Sequence, residues 1–367
     1  MARNRVIYQS EALYVSNNAA ASAAAAHKQL ERVQSANFNY TINRQDVNQF
    51  GQLARIDSLV LDPPTVGTDF SYYLTDGFNE RCLGFFCATG GQAKDQAGFA
   101  SGHLLGGSGF NTFIVTGPDG EDLNGAGALG ATDSVVGIGN CYLSDYSVDL
   151  SVGSLPTVSV TLEGANVRSD DSAADIDSPA IDQEAGTDIG KTVELPNPVT
   201  GASSTITALR PGDITVSLTN LDGETVADLA GDDGAHIQSV SLSVPLSRSP
   251  LDRLGSRFPF ARAVDFPVTV TMGVSAIVNE TTAMNLVNTI NSGVQTVDVT
   301  IKTPGGDTGI IYTLKGVQVE SESFSSAIGS NQTVDLSLSS QIGGPTDTNV
   351  GLFMSGAYNG SGFGTFG

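Results

Sequence analysis

Tryptophan is absent from the 367 residues, cysteine occurs three times, and lysine occurs five times. Long apolar runs are missing as well. The longest candidate, Ala19 to Ala26, is broken by Ser22 and is otherwise alanine, too weakly hydrophobic for a membrane span or the apolar region of a signal peptide. The opening stretch, Met1 to Ser10, carries two arginines with no such region behind them, so the sequence reads as lacking a secretory signal. An odd, small set of cysteines (Cys82, Cys87, Cys141) fits free thiols in a reducing cytosol better than a disulfide framework. Cys82-Leu83-Gly84-Phe85-Phe86-Cys87 has no matching Cys/His pair elsewhere, so these thiols read as small buried residues rather than zinc ligands.

Cations are the most telling scarcity. Seventeen Lys+Arg face 39 Asp+Glu, a formal net charge of −22, although only 15% of residues are charged. Gripping a phosphate backbone over a broad surface needs Lys and Arg to displace counterions, so that class of function is excluded. Enough Val, Leu, Ile and Phe remain for a packed core, which excludes wholesale disorder. The length suggests two domains.

The chain repeats itself. At an offset of 204, Val33-Gln34-Ser35 falls on Ile237-Gln238-Ser239, and Phe38, Tyr40, Ile42 fall on Leu242, Val244, Leu246. Arg44 then meets Arg248, Gly51 meets Gly255, Val60 meets Val264, Pro63 meets Pro267, and Thr65-Val66 meets Thr269-Val270: eight identities in 34 ungapped positions. Leu13–Asn17 resembles Val216–Asn220 at offset 203. Gly117-Pro118-Asp119-Gly120-Glu121 meets Thr303-Pro304-Gly305-Gly306-Asp307 at offset 186, and Val158, Val160, Leu162 meet Val334, Leu336, Leu338 at offset 176. Any two β-rich segments share alternation. The repeated order and the Arg, Gly and Pro coincidences favour a duplicated unit whose second copy is shorter in its loops.

Each copy reads as mainly β. Period-two runs at Asn37–Ile42, Thr65–Leu74, Thr157–Leu162, Val240–Leu246 and Thr333–Leu338 are half-buried strands. Pro118-Asp119-Gly120 and Pro304-Gly305-Gly306 are turns. Helix is sparse: Glu280–Ile290 has the right spacing, with Asn279 as N-cap and Gly293 as C-cap; Gly77–Leu83 is its shorter counterpart; and Ala19–Arg32 is a further expectation from alanine propensity. The expected organisation is a first domain over 1–168, an acidic linker or insertion over 169–209, a second domain over 210–342, and a Gly/aromatic arm over 343–367 that builds no core. Residues 84–111 are a Gly-rich excess of the first copy.

Catalytic and metal signatures are not found. No Walker A sequence, Gly-x-Ser-x-Gly elbow or His-Glu-x-x-His motif is seen, and His27, His103 and His236 share no motif spacing. Asp119, Glu121, Asp122 and Asn124, like Asp228, Asp232 and Asp233, lack the EF-hand pattern and read as polar loop tips. A carboxylate pair for glycoside hydrolysis cannot be picked out. The expectation is a protein without enzymatic activity, cofactor or metal.

Four segments carry a resemblance: Arg32–Phe38, Asn43–Gly51, Ile56–Pro64 and Phe70–Leu74, followed by Cys141–Leu143, Val152–Val158 and Glu163–Asn166. They resemble the major tail (tail tube) proteins of long-tailed, siphovirus-like bacteriophages. The likeness covers 32–166 and extends to 237–342 through the repeat. It implies tandem β-sandwich or barrel domains, each with a flanking helix. It also implies a virion protein, assembled in the host cytoplasm, whose partners are its own copies. A duplicated chain would form homotrimeric, pseudo-hexameric rings that stack into a tube. Tape measure and terminator proteins would be further partners, and viral DNA would pass through the lumen without specific binding. The competing expectation is a secreted or virion-decorating β-sandwich binding or adhesion protein.

In such a tube a long loop after the first core strand reaches the adjacent ring. Here that loop is Asn43–Asp62, with its copy Ser247–Phe266. Six of the 17 basic residues fall there: Arg44, Arg55, Arg248, Arg253, Arg257 and Arg262. Arginine pairs bidentately with carboxylates, so these six, with Asp46 and Phe50, are the candidate inter-ring contacts. The alternative is that the arginines fold back onto their own domain. A lumen lined with carboxylates would repel DNA phosphates; a saline habitat would equally account for the acidic balance.

Overall fold

The computed structural model describes residues 11–60, 64–89, 104, 109–118, 122–123, 128–199, 214–220, 235–255, 258–278, 295–302, 308–326, 331–344 and 347–357. In chain order the first unit comprises β1 (Glu11–Ser16), β2 (His27–Gln29), β3 (Val33–Thr41), β4 (Arg44–Val47), β5 (Asp57–Val60), β6 (Thr65–Tyr73), helix α1 (Phe78–Cys82), β7 (Cys87–Thr89), β8 (Phe110–Thr116), β9 (Ser134–Ser151), β10 (Thr157–Gly164) and β11 (Asn166–Asp170). Four two-residue strands follow: β12 (Ile176–Asp177), β13 (Ile181–Asp182), β14 (Thr187–Asp188) and β15 (Thr192–Val193). The second unit has β16 (Ile214–Asn220), β17 (Ala235–Pro245), β18 (Arg248–Leu251), β19 (Ala261–Val264), β20 (Thr269–Val278), β21 (Gln295–Lys302), β22 (Thr308–Ser325), β23 (Thr333–Gln341) and β24 (Gly351–Gly356). The fold is mainly β, as the alternation predicts.

Each unit folds as two sheets that share one long strand. In the first, β9 runs through both: its early half pairs with β8 and β11, its late half with β10. In the second, β22 does the same, pairing early with β21 and β24 and late with β23. Both shared strands are 18 residues long. The inner sheets run β9-β10-β6-β3 and β22-β23-β20-β17. Alternation places Val66, Phe70, Tyr72, Tyr146, Val148, Val158, Val160 and Leu162 on the buried face of the first, and Leu242, Val244, Val270, Met272, Val274, Leu336 and Leu338 on that of the second.

The two units agree in register as well as order. Val33 pairs with Tyr72 and Ile237 pairs with Ala276, and in both ladders one residue bulges immediately afterwards, at Gln34 and at Gln238. The β9–β10 ladder slips at Thr161/Leu162, where Leu162 faces Leu143; the β22–β23 ladder slips where Leu338 faces Val319. These are the positions related by the sequence offsets of 204 and 176.

Three expectations change on folding. Residues 19–32 form no long helix: a 3-10 turn at Ala24–Ala26 leads into β2, which pairs with β1. Alanine propensity is a weak prior, and the buried His27, whose Nδ1 lies 3.0 Å from the Ala23 carbonyl, is held in the strand by tertiary packing. The described part of 169–209 is no bare linker. Ala173, Ile176 and Val193 pack with Tyr14, Phe113, Val115 and Val135 over the outer sheet of the first unit. The 343–367 arm supplies β24, which lies between β22 and, in parallel, β7. Leu352, Phe353 and Met354 are buried there, an apolar triplet that the Gly-rich average of the tail conceals. Helix α1 matches the shorter predicted helix, and all three cysteines are free and buried. The predicted helix 280–290, both turn tripeptides in part or whole, and most of 84–111 lie outside the described residues.

The 169–199 strap is positioned by two adjacent residues of β9. Asn140, at φ 53°, accepts from the Ile181 backbone N–H through Oδ1 at 2.8 Å. Gly139 leaves room for the Pro179 carbonyl, with which any Cβ would collide. Gly139→Ala is therefore expected to lower unfolding stability by roughly 1–3 kcal/mol, the usual cost of overpacking. Urea denaturation checks this, and unchanged stability would contradict the strap's placement.

Candidate assembly interface

The two inner sheets are one. Strand β17 of the second unit pairs with the late half of β9 of the first, from Ser239 opposite Ser151 to Pro245 opposite Asp145. The result is an eight-stranded antiparallel sheet, β22-β23-β20-β17-β9-β10-β6-β3. Its face away from the core is almost wholly hydroxyl, amide and carboxylate. Ser71, Ser159, Ser147, Ser243, Thr271 and Ser339 stand opposite one another across six strands. Asn37, Asp69, Thr161 and Asp145 form a second row, and Thr157, Asp149 and Ser241 a third. No Lys or Arg lies in β3, β6, β9, β10, β17, β20 or β23, nor in the late half of β22. Asp69, Asp145, Asp149 and Asp335 give this face a negative field that no Lys or Arg on those strands offsets. Sequence reasoning had the signal, Ser or Thr at every second position of the strands, but followed only the apolar phase of the alternation.

The junction between units is knit on the core side by a buried polar cluster. The Tyr72 hydroxyl donates to Glu80 Oε1 at 2.8 Å, and the Tyr146 hydroxyl donates to the same oxygen at 3.2 Å. Tyr312, from the second unit, lies 2.9 Å from the Tyr146 hydroxyl. Glu80 sits in α1 and is wholly buried, and its Oε2 has no hydrogen-bond partner among the described residues. Burial pushes its carboxyl above the ordinary carboxylate range, against the lowering effect of the tyrosine hydrogen bonds. Burial likewise raises all three tyrosines. No motif marks Glu80, because the cluster gathers residues from three strands and a helix.

The candidate arginines divide between two hairpins. In the second unit, β18–β19 folds back onto the first unit. Arg248 donates from Nε to the Leu143 carbonyl at 3.3 Å and from Nη2 to the Leu104 carbonyl at 2.5 Å, with its guanidinium 5.1 Å from the Tyr142 ring centre. Burial lowers its pKa to about 10. Arg262 is 5% exposed and pairs with Glu163 at 2.8 Å; Arg253 reaches Glu184 at 3.3 Å. These three engage the first unit and the strap of the same chain, a contact named neither by the inter-ring expectation nor by its own-domain alternative. Arg257 lies outside the described residues. In the first unit, β4–β5 stands exposed: Arg55 pairs with Asp46 at 2.9 Å within the hairpin, Arg44 is exposed on β4, and Phe50 at the tip is fully exposed. Val47, Leu53, Ile56, Leu59 and Val60 are exposed beside it. The tips match, with Gly51 at φ 86° after Phe50 and Gly255 at φ 91° after the fully exposed Leu254.

Two edges of the eight-stranded sheet have no strand beside them among the described residues: β3 and the late half of β22. Each is the counterpart of a strand paired at the internal junction. Phe38 is 41% exposed and Phe324 50%, whereas their counterparts Leu242 and Val148 are 3% and 1% exposed. An unpaired edge presents a row of N–H and C=O groups that can template pairing with another strand.

Glu80 yields a pH dependence. The folded chain holds its proton more tightly than the unfolded chain. The neutral carboxyl therefore stabilises the fold below the unfolded value of roughly 4.3, and that contribution is lost as pH rises through the raised folded value. Glu80→Gln keeps an acceptor for Tyr72 and removes the titration. Urea unfolding over a pH series is expected to favour the variant increasingly as pH rises; a pH-independent difference would contradict a buried, titrating Glu80.

No protein-family model and no curated protein matches the chain. Among solved structures, the chain is similar to a component of the virion of a native gene transfer agent particle, at 12% identity and a TM-score of 0.23, with 39% of this chain and 95% of that one covered.

Proposed function

We propose that this chain is a structural virion protein that joins its own copies edge to edge into rings, and that the rings stack into the tail tube through which the genome passes. The observation that carries the reading is the internal junction together with the two edges it leaves open. A sheet that has joined β17 to β9 once presents the counterparts of both, β3 and β22, to other copies. Shifting the pair Leu242–Val148 by the two offsets, 204 down and 176 up, gives Phe38 opposite Phe324. The same shift sets Asn37 against Ser325, Asn39 against Ser323, Tyr40 against Glu322 and Thr41 against Ser321. Pairing of this kind is head-to-tail, so it closes into a ring or runs on without end. A duplicated chain supplies two units per copy, and three copies supply the pseudo-hexamer that the tail-tube resemblance implies.

The rest of the surface suits this use. With the hydroxyl and carboxylate face turned inward, the lumen holds no cation on its strands to retain DNA phosphates. The exposed tips at Phe50, Leu53 and Leu254 are apolar knobs for the next ring. The role is structural rather than catalytic, with tape measure and terminator proteins as the partners at the tube's ends.

Negative-stain microscopy and sedimentation of the full chain test the reading. Rings or tubes with a central channel are expected, and Phe38→Asp or Phe324→Asp is expected to leave folded monomers. A wild-type chain that stays monomeric at every concentration and salt would refute it. The lumen has its own test. Tubes carrying Ser159→Arg and Ser241→Arg are expected to retain duplex DNA in low-salt cosedimentation and to release it as salt rises, while wild-type tubes retain none. Equal retention by both would remove the inward placement of this face.

A further inference from the structure

We infer that the base of the β4–β5 hairpin seats laterally on the neighbouring copy of the same ring, with Arg44 set against the β22 bulge at Val319 and Glu320. The inference rests on the edge-to-edge reading above and specifies its second contact. It assigns to one end of the hairpin a role that the inter-ring expectation gave to the whole loop.

The template lies within the chain. The β4–β5 and β18–β19 hairpins have the same register, Arg44 opposite Val60 and Arg248 opposite Val264. The second hairpin is seated. Leu246, just before it, is fully buried and donates its backbone N–H to the Ser144 carbonyl at 2.8 Å, at the bulge of β9. Arg248 then reaches the Leu143 carbonyl beside that bulge. The first hairpin lacks this seat: Ile42, the counterpart of the buried Leu246, is 42% exposed.

A matching seat exists in the second unit, with no hairpin upon it among the described residues. Strand β22 bulges opposite Leu338 as β9 bulges opposite Leu162, so Val319 and Glu320 occupy the places of Leu143 and Ser144. Glu320 is exposed, and its carboxylate accepts from the Ser339 hydroxyl. Once β3 of one copy lies along β22 of the next, Ile42 N–H meets the Glu320 carbonyl and Arg44 meets the Val319 carbonyl. The electrostatics are complementary and differ from the internal seat. There the guanidinium lies over the Tyr142 ring; here Gln318 replaces the tyrosine, and a carboxylate replaces Ser144. Glu322 adds a second exposed carboxylate two residues along the same edge. An arginine placed against carbonyl and carboxylate oxygens is a charge-assisted contact that fixes register as well as affinity.

Reciprocal charge reversal in the full chain tests this. Arg44→Glu and Glu320→Arg, each alone, are expected to weaken association by about tenfold or more at low salt and to shift the population from rings to folded monomers. The double variant is expected to restore rings. Sedimentation velocity reads ring closure, and microscopy reads stacking separately. Single variants that form normal rings but fail to stack would overturn the inference, because Arg44 would then act between rings. Single variants that assemble like wild type, or a double variant that does not recover, would overturn it as well. A wild-type chain that forms no rings would instead remove the edge-to-edge reading on which it rests. Circular dichroism on every variant separates loss of contact from loss of fold.

Discussion

Every backbone N–H and C=O of a β-strand needs a partner, and the pairing of β17 with β9 is where that requirement joins two sandwich units into one sheet. The rest of the architecture follows from it. Because the joined strands lie at opposite ends of their units, the chain ends in two unlike edges rather than one shared edge. Because both units keep the same register and the same bulges, each open edge already has the shape of a partner seen inside the chain. The buried tyrosine and Glu80 cluster reinforces the joint from the core side, where an apolar contact alone would fix the two units less specifically.

The scarce cations are used locally. Arg248 and Arg262 bind the second hairpin to the first unit, Arg253 reaches the strap, and Arg55 holds its own hairpin in shape. None lies on the strands of the polar sheet face. Carboxylates project from the sheet among hydroxyls, while Arg248 and Arg262 stand at its margin.

Much of the fold was legible in the sequence. Period-two alternation located the main strands, and positions related by the offsets of 204 and 176 take the same register in the two units. What escaped depended on tertiary context. Ala19–Arg32 reads as helix because propensity is local, whereas β2 exists only because β1 lies beside it. Leu352–Met354 reads as part of a glycine-rich tail because composition averages over a window, whereas three residues are enough to fill the gap between β22 and β7. The proposed assembly surface was half legible. The arginine clusters stood out, but only the coordinates separate those spent inside the chain from Arg44, which stays exposed. Glu80 was not legible, because its meaning lies in three tyrosines brought to it from distant positions.

The unlike edges have a kinetic consequence. Any open arc of copies joined through β3 and β22 keeps one edge of each kind at its two ends, whatever its length. Adding a copy never lowers the number of bare ends; only closure removes them. Curvature therefore decides between two fates for the same contact, a ring that stops growing and a ribbon that does not. In the proposed ring, building two units into one chain would fix half of that curvature before any copies meet, because every second junction would be covalently tethered and could not be made at the wrong angle by a stranger.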